Sequence, residues 1–143
     1  MTRIDFHFNV PDRLTRACRI VGKAWRAGCT VLVWSDDEER LAAFDHLLWS
    51  EPRAAFIPHV RMHDPLAAQT PVLLSHESTD APTPDVLVNL GERTPPQFAR
   101  FERVIEIVGL DEQERAAARE RWRLYRDHGY PMHRHDAGGV EPT

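Results

Sequence analysis

The sequence predicts an α/β fold of three layers, a mostly parallel, twisted sheet with helices on both faces. Three observations carry that prediction. The stretch CTVLVW (Cys29 to Trp34) is short, rich in β-branched residues and nearly continuously apolar, as a strand covered on both sides must be. Strand-like and helix-like stretches alternate along the chain, an order that favours parallel pairing through right-handed crossovers. The last regular stretch, DEQERAAARERWRLYRDHGY (Asp111 to Tyr130), has strong helix formers, acids at its start and arginines after them, the order that a helix dipole favours.

Taken in order, Ile4, Phe6 and Phe8 alternate with polar residues and mark a first strand over Arg3 to Phe8. Pro11 then opens a helix in which Leu14, Cys18, Val21 and Trp25 recur at helical spacing until Gly28 ends it. After the strand Cys29 to Trp34, Ser35-Asp36-Asp37-Glu38 reads as a capping box, and Leu41, Phe44, Leu47 and Leu48 form the apolar face of a second helix. Pro52 and Pro58 bracket an irregular turn. Short strands follow over His59 to His63, Val72 to Ser75 and Asp85 to Gly91, with STDAPTP as a loop before the last of these. Thr94 is the expected N-cap of a short helix through Phe98 and Phe101. Arg103 to Gly109 alternates as a final strand, and the helix Asp111 to Tyr130 completes a single domain over residues 1–130. Residues 131–143, PMHRHDAGGVEPT, read as a polar, glycine-containing flexible tail.

Composition bounds the function. With 143 residues, 42% of them apolar, the chain can bury a core without disulfides or metals, and Cys18 and Cys29 fit no redox or metal spacing. A cytoplasmic location is expected: the start, MTRIDFHFNV, lacks a signal peptide's apolar core, and no apolar run is long enough to cross a membrane. The net charge of −4 argues against direct binding of nucleic acid by the molecule as a whole.

No catalytic constellation emerges. The turns after the first two strands, Asn9-Val10-Pro11-Asp12 and Ser35-Asp36-Asp37, lack the glycines that let backbone amides close on a phosphate. A nucleotide-binding enzyme on the same kind of sheet is therefore the second reading, and no cofactor is expected. His128, His133 and His135 cluster with Asp136 in the tail without cysteine, and His7, His46, His59 and His63 are scattered, so neither a metal nor a general base is expected. Two features point instead to recognition. In the last helix Arg115, Arg119, Trp122, Arg123 and Arg126 fall along one face, a guanidinium ridge with an indole among it. Trp49 ends the second helix, and Phe56 lies in the proline-bracketed turn, an aromatic pair on a stiff corner.

The stretches AWRAGCTVLVWSDDEE, LLWSEPRAAFIPH and ARERWRLYRDHGY resemble the chi subunit of bacterial DNA polymerase III, an accessory protein of the clamp loader. The Leu-Trp-x-x-Pro-x-x-x-Phe-x-Pro-His corner and the Ala-Arg-Glu-Arg-aromatic helix are specific as a pair, and the likeness spans Arg3 to Tyr130. It implies a Rossmann-like fold and a non-enzymatic adaptor. It also implies two partners: the acidic, phenylalanine-ended C-terminal tail of single-stranded DNA-binding protein, and the psi subunit or another subunit of the clamp loader. Carried over by position, the tail would meet Val108, Arg115, Arg119, Trp122 and Arg123, and psi would meet Trp49 and Phe56. Arg115 and Arg123 stand where relatives can have lysine, and Trp122 replaces a tyrosine of the pattern.

Overall fold

The computed structural model describes residues 1–51, 56–82 and 85–138. Pro52 and the rest of 52–55, with 83–84 of the STDAPTP loop, lie outside the described residues.

The elements follow as β1 (Arg3–Phe8), α1 (Arg13–Arg26), β2 (Val31–Trp34), α2 (Glu38–Ser50), β3 (His59–Arg61), β4 (Val72–Ser75), β5 (Val86–Asn89), β6 (Arg103–Ile107), α3 (Glu112–Asp127) and β7 (Met132–Asp136). They form a seven-stranded sheet in the order β3-β4-β2-β5-β6-β1-β7. Every pairing in it is parallel.

The pleat sorts the apolar runs into two cores. Val31 and Val33 of β2 join Ala17, Val21, Leu41 and Phe44 on the α1–α2 side. Leu32 and Trp34 join Ile4, Phe6, Ala118 and Tyr125 on the α3 side. This is a three-layer, Rossmann-like α/β arrangement, and it explains why β2 reads as continuously apolar: successive side chains enter opposite cores. Burying each such side chain contributes roughly 1.5–3 kcal/mol.

Local chemistry corrects three expectations. The cap of α2 is Asp37, whose carboxylate accepts from the amide of Arg40, while Ser35 Oγ accepts from the amide of Asp37 in a turn before the helix. Thr94 opens no helix. Gln97 takes a left-handed conformation (φ 53°), which breaks the segment and leaves a single 3-10 turn over Phe98–Arg100. The largest correction concerns the first part of the expected tail, since 139–143 lie outside the described residues. Met132–Asp136 is a strand that pairs with β1 in register Phe6↔Arg134, and the chain reaches it because Gly129, at φ 79°, turns it out of α3.

The crossover from β6 to β7 skips over β1, since β1 lies between the two in the sheet. Helix α3 therefore lies across the face of β1, and it sets Ala118 and Tyr125 onto Ile4 and Phe6 in the second core. The site begins at this overlap.

Candidate functional site

Between the first half of α3 and the β1–β7 margin lies a hollow of about 470 Å³, lined by Phe6, Phe8, Asn9, Val108, Arg115, Ala118, Arg119, Trp122 and Arg134. Three elements position these groups. Asp111 caps α3, accepting from the amides of Gln113 and Glu114, and so fixes the register in which residues 115, 118, 119 and 122 face one way. Val108, the residue after β6, is buried as part of the wall. Phe6 meets the Trp122 ring edge to face at 5.1 Å, so the indole is half-buried and held by packing rather than loose.

The hollow brings Val108, Arg115, Arg119 and Trp122 together. Arg123 is not among its lining residues; it lies one turn further along α3, exposed and paired with Glu120. Phe6, Phe8, Asn9, Ala118 and Arg134 also line the hollow, and sequence reasoning missed all five as site residues. The two phenylalanines had a visible signal, the alternation of the first strand. Arg134 had none.

The charges around the hollow are held unequally. Arg119 pairs with the Glu112 carboxylate at 2.7 Å, both side chains being largely exposed. Arg115 donates to the neutral side-chain oxygen of Asn9 at 2.7 Å and makes no ion pair among the described residues. Asn9 is itself fixed, with its amide donating to Asp136 Oδ1 at 3.1 Å. Arg134 spans the aromatic wall, its guanidinium carbon 4.9 Å from the centroid of Phe8 and 5.7 Å from that of Trp122. An apolar floor thus carries a cationic rim.

What anchors α3 is a buried polar network that sequence reasoning did not foresee. Arg121 is buried to its head, donating to Glu106 at 3.0 Å and to the Glu92 carbonyl oxygen. Asn89 and Tyr125 also donate to Glu106, which is fully buried. Burial, with the Glu106 carboxylate beside it, pushes the Tyr125 phenol well above its usual range, so the hydroxyl remains a donor.

Trp49 and Phe56 stand apart from the hollow. Both are exposed, Phe56 by 89%, and Trp49 leans on the buried His59 with ring centroids 4.6 Å apart. His59 is tied to the Ile57 carbonyl oxygen and to Asp45, which fixes the ring that Trp49 rests on. Neither aromatic plugs the core.

At the carboxyl ends of β2 and β5, where open parallel sheets commonly hold ligands, the chain fills the crevice with its own groups. Asp36 accepts from the amides of Glu92 and Arg93, and Arg13 donates to the carbonyl oxygens of Leu90 and Ile107. A side chain at Gly91 would come within 2.5 Å of Asp36 Oδ1. Among the described residues no three His, Cys, Asp or Glu side chains converge as metal ligands; His135 instead approaches Asp5 at 2.9 Å. No helix among them is long and apolar enough to cross a membrane.

Comparison with known proteins now decides the family. The family model for the DNA polymerase III chi subunit, HolC, matches residues 1–133. The chain belongs to the DNA polymerase III chi subunit family. It is similar to DNA polymerase III subunit chi of Pseudomonas aeruginosa, 38% identical over 140 residues, which cover 94% of this chain and 96% of that one. The subunits chi of Haemophilus influenzae and Escherichia coli are 27% and 26% identical, covering 85% and 80% of this chain and 85% and 79% of their own lengths. Membership in the chi family ties the chain to the replicative polymerase complex and to DNA replication.

Proposed function

We propose that this chi-family chain is a non-catalytic adaptor. Its hollow captures the acidic, phenylalanine-ended C-terminal tail of single-stranded DNA-binding protein, and its Trp49–Phe56 corner holds psi or another clamp-loader subunit. The observation that carries this reading is the pairing of an apolar floor (Phe6, Phe8, Val108, Trp122) with a rim of Arg115, Arg119 and Arg134. A terminal aromatic ring fills the floor while carboxylates meet the rim.

Magnitudes favour it. Charge-assisted hydrogen bonds contribute roughly 1.5–3 kcal/mol each, so a few of them with one buried ring reach micromolar affinity. The Arg119–Glu112 and Arg123–Glu120 pairs are exposed, and exposed pairs are worth about 0–1 kcal/mol. Ligand carboxylates displace them at little cost. Arg123 acts from outside the hollow, through its field on the approaching anion. Although the molecule is net −4, screening limits the reach of distant charges to ~8 Å at physiological salt, so the local rim dominates. A nucleotide-binding enzyme is the weaker reading, since Asp36 and Arg13 occupy the crevice a phosphate needs.

The test is retention on single-stranded DNA coated with its binding protein. Retention is expected to fall as salt rises and to vanish when the binding protein loses its acidic tail. Trp49→Ala or Phe56→Ala is expected to weaken the clamp-loader contact by about 2 kcal/mol or more while leaving retention unchanged. Undiminished retention on tailless binding protein refutes the reading, and loss of retention in the corner variants reverses the two assignments.

A further inference from the structure

We infer that Arg134 is a ligand-binding residue of the hollow and pairs with the terminal carboxylate of the peptide that fills it, an inference that rests on reading the hollow as a peptide site. Arg134 lies beyond the last residue matched by the family model, in the strand that sequence reasoning took for a tail.

Three observations carry it. The first is position. The guanidinium stands over Phe8 and Trp122, two rings of the apolar wall. In a peptide whose last side chain fills the floor, the terminal carboxylate is carried on that same residue. The cation that meets it must border the floor; Arg115 and Arg119 line the hollow too, but among the described residues Arg134 alone of the three stands over its rings. The second is availability. Arg115 is bonded to Asn9 and Arg119 must first give up Glu112, while Asp136, the acid of β7, is taken up by Asn9 and by the amide of Gly138. Among the described residues Arg134 makes no ion pair; Asp136 feels its charge without meeting it, so the guanidinium keeps its donors for a ligand. The third is preorganisation. Parallel pairing with β1 fixes the backbone of Arg134 opposite Phe6, and contact with two rings narrows the side chain's freedom, so little is lost on binding. A planar guanidinium there can grip a carboxylate with two bonds.

The experiment is a calorimetric cycle with two peptides of identical acidic, phenylalanine-ended sequence, one with a free terminal carboxylate and one amidated, against the full chain and its Arg134→Ala variant. Arg134 is exposed on an edge strand, so the variant is expected to melt as the parent does. The free acid is expected to bind Arg134→Ala at least about tenfold more weakly, and the amide to bind both proteins alike. An equal loss for both peptides would show that Arg134 merely props the aromatic wall, and would overturn the inference. Parent-like binding of the free acid by Arg134→Ala overturns it too, while the hollow remains a peptide site. If the parent binds neither peptide, the reading of the hollow falls and the inference falls with it.

Discussion

Glu106→Ala is expected to destabilise the fold by about 3–5 kcal/mol, because it leaves the Arg121 guanidinium buried with no counter-charge. For a chain of this size that lowers the melting temperature by on the order of 10 °C. Glutamine is not expected to rescue it. Asn89, Arg121 and Tyr125 all aim donors at Glu106, and an amide nitrogen placed among them adds a fourth donor to a cluster that needs acceptors. The network matters beyond stability. Arg121 and Trp122 are neighbours on α3, so the bond that ties Arg121 to β6 also sets the angle at which the next residue enters the hollow. Peptide affinity should therefore fall in Glu106→Ala even below its melting transition. Denaturant unfolding checks the first effect, and a shift of less than 1 kcal/mol would show that the network is not what anchors the helix.

The second large effect is on binding. Arg115→Glu is expected to weaken the acidic peptide by more than about 100-fold, combining a lost charge-assisted contact with repulsion. Arg115 is the sharper choice because its charge is met by a neutral amide, whereas Arg119 already faces Glu112. Arg126→Glu, on the same helix but outside the hollow and already beside Asp127, serves as the control and is expected to change affinity by no more than about threefold. Arg123→Glu should fall between the two. Equal losses for Arg115→Glu and Arg126→Glu would mean that only the overall field of the helix matters.

How much of this was legible in the sequence follows from where each signal resides. β2 declared itself because both of its faces are buried, so its hydropathy carries no interruption. The ridge on α3 was legible because helical spacing alone puts 115, 119 and 122 on one side. β7 was invisible for the opposite reason. An edge strand gains its place through backbone bonds to β1, and MHRHD shows no apolar alternation to announce them. Arg134 was lost with it. The burial of Arg121 gave no signal because its partner, Glu106, sits on another element; nothing in an arginine's own neighbourhood tells a buried head from a solvated one. Thr94 failed as a cap because the backbone at Gln97 turns left-handed, which the Thr-Pro-Pro signal does not announce.

The most direct measurement is nuclear magnetic resonance mapping of the acidic, phenylalanine-ended tail peptide onto the labelled chain. The largest shifts are expected at the Val108 and Ala118 amides and methyls, the Trp122 indole and the Arg115 and Arg134 side chains, saturating together with one affinity. Shifts confined to Trp49 and Phe56, or to the carboxyl ends of β2 and β5, would contradict the account.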